Sequence, residues 1–257
     1  MSHRFVGEPV RKSLLLTMLL FTSLIMPLEA VDESTVTKEM VFGGQTWRVK
    51  ASVGPIAPGP NYWSNSTRSI WMDDQGIHLT LLKRQNIWYS TEIFTRNPLG
   101  YGTYLFTVDS DFMNYDPNVV AGFFTWDTQP VEANRELDIE FASWGIEGNM
   151  KGQYVVQPFS SPDRLKLFDP NMQGTYSTHR IIWQSDKLQF TSWHGIVDPL
   201  QEHAADNLMA DWVFDGEIPS EGRARFRINL WLFQGRPPAG DTNHHLVIKS
   251  FSFVPWQ

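Results

Sequence analysis

The chain has 257 residues, 42% of them hydrophobic, and 28 Asp and Glu against 21 Lys and Arg, for a net charge of −7. A chain of this length and apolar content can bury a full core, which argues against a disordered protein, and its acidic balance argues against a broad nucleic-acid-binding surface. It contains no cysteine, which excludes disulfides, thiolate metal sites and cysteine nucleophiles.

In chain order, the first segment reads as a targeting signal. Arg4, Arg11 and Lys12 precede an apolar run from Leu14 to Met26, and LEA stands before Val31. The run is short for a membrane span and ends on a small-residue cleavage pattern. Residues 1–30 are therefore expected to be a signal peptide, the mature protein to be secreted or periplasmic, and no membrane contact to remain after cleavage. Two-residue alternation dominates the rest: GIHLTLL (76–82), GTYLFTV (102–108), ELDIEF (136–141), QYVVQ (153–157), THRIIW (178–183), KLQFTSW (187–193), ARFRINLWLF (224–233) and HLVIKSFSF (245–253). Turn residues punctuate these runs, as in DDQG, RNPLGYG, NYDPN and RPPAGDTN. Short alternating strands with such punctuation predict an all-β, antiparallel jelly-roll sandwich. One helix is expected around QEHAADNLMADW (201–212), and PIAPGP (55–60) is expected to be a loop within a single domain spanning residues 31–257.

The run ELDIEF concentrates the chemistry. Residues two apart point to one side of a strand, so Glu136, Asp138 and Glu140 share a face, opposite Leu137, Ile139 and Phe141. Strands are depleted in Asp and Glu, and no Lys or Arg alternates in phase with these three nearby. An ordinary solvated strand face is the plain alternative. Two carboxylates flanking a glycosidic bond can cleave it, one attacking the anomeric carbon and the other protonating the leaving oxygen. The proton donor then needs a raised pKa, which burial and a neighbouring carboxylate both provide. On a straight strand the Cα atoms of Glu136 and Glu140 would lie about 13 Å apart, so the strand must be concave toward the substrate for a retaining mechanism.

E-L-D-I-E resembles the E-(I/L)-D-(I/V)-E signature of glycoside hydrolase family 16. Further stretches resemble that family in order: GPNYWSNS (59–66), DDQGIHLTLLK (73–83), YSTEIFTRNPLGYGTYLFTV (89–108), AGFFTWD (121–127), HRIIWQSDKLQFTSWHG (179–195) and RINLWLF (227–233). The resemblance spans roughly residues 55–255. It implies a concanavalin-like jelly roll with a concave groove, and a retaining endo-glycosidase or transglycosylase acting on a β-linked polysaccharide or oligosaccharide. It also implies Glu136 as nucleophile, Glu140 as general acid/base and Asp138 as the residue assisting between them. The chain departs from the family at His194-Gly195, where Asp-Gly is usual, and at His179, where Tyr is usual. A non-catalytic carbohydrate-binding jelly roll is the competing reading.

Six further residues are candidate sugar contacts: Asn61, Trp126, Trp144, Gln157, Asn229 and Trp231. Trp231 matches the family's subsite tryptophan and Asn229 shares its parity. Trp126 and Trp144 flank the acidic strand, where exposed rings would stack on sugars. Gln157, with Gln153, is the polar element of the strand after the signature. Asn61 is read either as a ligand or as a turn residue in GPN. No histidine pair has a metal-ligand spacing such as HExxH, and no phosphate loop, dinucleotide fingerprint or GxSxG elbow is present. No cofactor is expected; related folds often carry a structural calcium, for which no ligand cluster is found in this sequence. The protein is expected to act as a monomer.

Overall fold

The structure, a computed structural model, describes residues 38–149 and 151–257, so the expected signal peptide lies outside the described residues. Sixteen strands follow one another among the described residues: β1 (Glu39–Phe42), β2 (Gln45–Val49), β3 (Tyr62–Trp63), β4 (Ile70–Asp73), β5 (Gly76–Arg84), β6 (Ile87–Thr95), β7 (Gly102–Asp109), β8 (Val119–Trp126), β9 (Leu137–Ala142), β10 (Gly152–Val156), β11 (Leu165–Phe168), β12 (Tyr176–Trp183), β13 (Leu188–His194), β14 (Leu208–Phe214), β15 (Arg225–Leu232) and β16 (His244–Pro255).

They pair into two layers. The first runs β11-β10-β9-β8-β15-β6, with β2 and then β1 continuing beyond β6. The second runs β5-β16-β7-β12-β13-β14, with β4 on β5. The hairpin of β5 and β6 joins the layers, and among the described residues only the pairing of β3 with β6 is parallel. This is an antiparallel jelly-roll sandwich, as the alternation predicts. The acidic strand β9 lies inside the first layer, flanked by β8 and β10.

The pleat sorts ELDIEF as expected. Leu137 and Ile139 are fully buried and Phe141 nearly so, pointing at the second layer. Phe141 stacks on Phe112 with centroids 4.1 Å apart, and Phe106 stacks on Phe123 at 4.9 Å. Each such buried ring contributes about 1.5–3 kcal/mol of apolar burial. His179 lies among these rings, its two nitrogens bonded to Ser177 Oγ and Ser192 Oγ, both at 2.8 Å. Burial lowers its pKa to about 3, so the imidazole is neutral and acts as a polar pin in an aromatic core.

Residues 201–212 do not form the expected α-helix. A 3₁₀ segment, Glu202–Asn207, gives way to strand β14. Local helix propensity loses to packing: Trp212 and Phe214 lie against the core rings while Asp211 and Val213 between and beside them face water. The stretch PIAPGP is a loop closed by the bridge between Ile56 and Asn61.

Candidate active site

The antiparallel register assembles the site row by row, because residues directly opposite share a face. Glu140 stands opposite Gln153 on β10 and Gly122 on β8; Gly122 stands opposite Asn229 on β15, and Asn229 opposite Glu92 on β6. In the adjacent row, Asp138 faces Phe124, which faces Arg227. All these side chains point away from the aromatic core. A flat outer face would leave them in water, yet Glu92 is 1%, Asp138 2% and Asn229 3% exposed. These three are covered by their neighbours, while Glu136 and Glu140 stay partly exposed, so this groove face opens over the acidic strand.

Burial raises all three carboxyl pKa values of the row. Glu136 is pushed up to about 8 by burial and by the charge of Glu140. Asp138 is pushed well above its ordinary value by burial and by both glutamates, and its hydrogen bond to Glu136 raises it further while lowering Glu136. The firm proton therefore belongs on Asp138, donated to the Glu136 carboxylate. Glu140 rises to about 7 through burial, opposed by Gln153, whose Nε2 donates to Glu140 Oε2 at 2.7 Å. Trp144 Nε1 donates to Gln153 Oε1 at 3.2 Å and so orients that amide. Gln157 Nε2 donates to Asp138 Oδ2 at 3.2 Å.

Neighbouring polar groups were not visible as a set in the sequence. Glu92 accepts from Lys50 Nζ at 3.1 Å and from Arg227 Nη1 at 2.9 Å, and Lys50 lies 3.9 Å from the Trp63 ring centre. The two cations hold Glu92 below the usual carboxylate range despite its burial. Gly122 is the tight spot in this floor: a Cβ there would lie 2.6 Å from Asn229 Oδ1, closer than van der Waals contact allows, so only glycine leaves that amide in place. Asn229 Oδ1 and Arg227 Nε are buried without protein partners, an acceptor and a donor on the groove face of one strand.

The remaining candidates separate by exposure. Gln157 joins the row through Asp138. Trp126 and Trp144 are partly exposed on the groove face, Trp126 opposite Arg225 on β15 and Trp144 beside Gln153. Trp231 lies on the same face but is only 8% exposed, packed with Trp63, Val120 and Ala142 beneath Trp144 and Phe233. It is floor, and the partly exposed rings on this face are those of Trp126 and Trp144. Asn61 is 3% exposed, and protein groups saturate its amide: Nδ2 donates to the carbonyls of Pro58 and Leu232, and Oδ1 accepts from Ser90 Oγ and Leu232 N. It clamps the loop at 55–60 to β15 and leaves nothing for a sugar, which corrects the ligand reading in favour of the structural one. Among the described residues, no group of three or more His, Asp or Glu is arranged to hold a metal ion, and no helix is long and apolar enough to cross a membrane.

The fold is a jelly roll with a row of carboxylates across one face of its first layer. More narrowly, the fold is that of the family 16 β-glucanases. The chain is similar to the β-glucanase of Bacillus licheniformis, with a TM-score of 0.60 at 18% identity over 82% of this chain and 92% of that one. It is similar to a GH16 protein of Bacteroides ovatus in complex with the product G4G4G3G, with a TM-score of 0.58 at 12% identity over 81% and 94%. It is also similar to an immunostimulatory antigen and pseudo β-1,3-glucanase of Mycobacterium tuberculosis, with a TM-score of 0.59 at 14% identity over 82% and 91%. No family model and no curated protein sequence matches the chain.

Proposed function

We propose that the protein is an exported glycosidase that cleaves or transfers β-linked polysaccharide within the chain, with retention of configuration. Glu136 attacks the anomeric carbon as the leaving oxygen takes the proton of Glu140. Glu140 then removes a proton from water, or from an acceptor sugar hydroxyl, whose oxygen displaces Glu136. Asp138 donates to Glu136 before the attack and stabilises its charge when the glycosyl bond breaks again. The observation that carries this reading is the row itself: a buried aspartate between two partly exposed glutamates, each with a raised pKa, on one face of a sheet and each aligned by a neighbouring donor or acid. A merely solvated strand face would leave all three exposed and unshifted. Asn229 Oδ1 and Arg227 Nε add two buried polar atoms without protein partners beside the row.

The test is a panel of β-1,3-, β-1,4- and mixed-linkage glucans, galactans and xyloglucan, scored for new reducing ends and for transfer products. Glu136→Gly should lose activity by about a thousandfold or more, yet form an α-linked glycosyl azide from an activated glycoside and azide. Glu140→Gly should give the β-linked azide. Saturable oligosaccharide binding with no cleavage of any substrate would instead establish the non-catalytic carbohydrate-binding reading.

A further inference from the structure

The acidic strand is entered through a turn of the wrong hand. Glu132, Ala133, Asn134 and Arg135 have φ of +50°, +50°, +62° and +53°. None is a glycine, so each Cβ crowds its own backbone. Four in succession make a full left-handed turn, and it ends on the residue before Glu136.

Contacts from two sides hold the turn. Arg135, 8% exposed, sends Nη1 to Asp127 Oδ2 at 3.0 Å and Nε to Ser220 Oγ at 3.2 Å. Asp127 also accepts from Arg223 N at 2.8 Å, and Glu132 accepts from Ser220 N at 3.1 Å and from Ser220 Oγ. Asp127 N donates to the Asn134 carbonyl at 2.7 Å, and Asn134 Nδ2 donates to the Asp127 carbonyl at 2.9 Å. Gly222 makes room for this: any side chain there would run into the Arg135 guanidinium. The turn in turn pins both peptide groups of Glu136. Thr125 Oγ1 donates to the Arg135 carbonyl at 2.7 Å and accepts from Leu137 N at 3.1 Å. Glu136 N donates to the Ala133 carbonyl at 3.4 Å, and the Glu136 carbonyl accepts from Gln157 N at 3.0 Å.

We propose that this left-handed turn, clamped by Arg135, is a positioning device: it holds backbone strain to set the direction in which Glu136 enters the groove, and ties that direction to the Pro219–Arg223 loop. The proposal rests on the reading of Glu136 as the attacking group. Arg135 acts through the backbone, since its charge is paired with Asp127 and Glu132. The charged groups that act on the Glu136 carboxyl are Asp138 and Glu140 on its own strand, Arg227 from β15 and Glu92 from β6.

Ala133→Gly separates strain from packing, because it removes a Cβ and no hydrogen bond. The Tm should rise by about 2–4 °C as the strain is relieved, while kcat falls roughly tenfold and KM stays within about twofold. Gly222→Ala should cause the same kcat loss from the other side, with Tm falling as Arg135 is displaced; Arg135→Lys, which keeps the charge and loses the planar fork, stands in where that variant does not fold. The Glu136 carboxyl, followed by ¹³C NMR through a pH titration, should shift its midpoint down toward the ordinary glutamate value in each variant. A higher Tm with unchanged kcat and unchanged titration overturns the proposal, and so does an unchanged or lower Tm for Ala133→Gly. If the titration moves while the wild type cleaves no polysaccharide, the positioning stands and the glycosidase reading falls.

Discussion

Two sets of carboxylates share the groove face of the first layer and behave in opposite ways. Glu92 is the more deeply buried of the glutamates, yet Lys50 and Arg227 hold it ionised and below its usual pKa. Among the described residues, the row of Glu136, Asp138 and Glu140 has no cation in direct contact, Arg227 acting on Glu136 from a distance, and all three rise. Burial is common to both sets, so burial alone does not decide the charge. The partners do: two cations make a structural ion triad, and their absence makes a row that keeps protons near neutral pH.

That contrast can be broken from either side. The largest expected effect is on the triad. Glu92→Gln would leave two buried cations without their anion and should destabilise the fold by about 3–5 kcal/mol, read as the loss in urea unfolding. A change below about 1 kcal/mol would mean that water reaches Lys50 and Arg227 and that the triad is not dry. The next effect concerns the row as a whole. Glu136 goes from an ordinary 4.5 to about 8 and Glu140 from 4.5 to about 7. The folded state therefore binds more protons than the unfolded one across that window, and stability falls as pH rises through it. The two shifts taken separately would amount to about 8 kcal/mol; because the glutamates are partly exposed and share their protons with Asp138, the fall should total about 2–4 kcal/mol between roughly pH 4.5 and 8. It should flatten in the triple variant Glu136→Gln, Asp138→Asn, Glu140→Gln, and a wild-type stability that rises through the window would sink the account. The smallest effect isolates one hydrogen bond. Gln153→Ala removes the donor that favours ionised Glu140, so the alkaline limb of the rate profile should move upward, with stability changed by about 1 kcal/mol. An alkaline limb that stays in place would take Glu140 out of the acid role.

What could be read in the sequence follows the range of each interaction. Period-two alternation is local, so the runs at 76–82, 102–108, 136–141, 178–183, 187–193, 224–233 and 245–253 all fall on strands to within one residue at either end, and the shared face of Glu136, Asp138 and Glu140 follows from spacing alone, Glu136 being the extended residue just before β9. Glu92 was hidden because its neighbours come from β2 and β15, and no local pattern shows that Lys50 and Arg227 meet it. The left-handed turn was hidden for a different reason. Positive φ usually announces itself through glycine, and Glu132–Arg135 contains none. Asn61 was ambiguous because an amide in a turn and an amide on a sugar look alike until the partners of both its atoms are known. Residues 201–212 read as a helix because Ala204 and Ala205 and the polar residues around them obscure the alternation of Trp212 and Phe214.

The placement of β16 carries a consequence for biosynthesis. This strand lies between β5 and β7, in the interior of the second layer, although its sequence follows both by well over a hundred residues. Until residues 244–255 are available, β5 and β7 have no common neighbour, and two strand edges stand open in mid-sheet. A nascent chain that has not reached His244 therefore cannot complete the sandwich. It remains an open, edge-exposed intermediate whose closing contacts are of high sequence separation and correspondingly slow to form. Such a chain stays pliable during synthesis, the condition in which it can be threaded through a narrow channel or captured by a holdase before the sheet shuts.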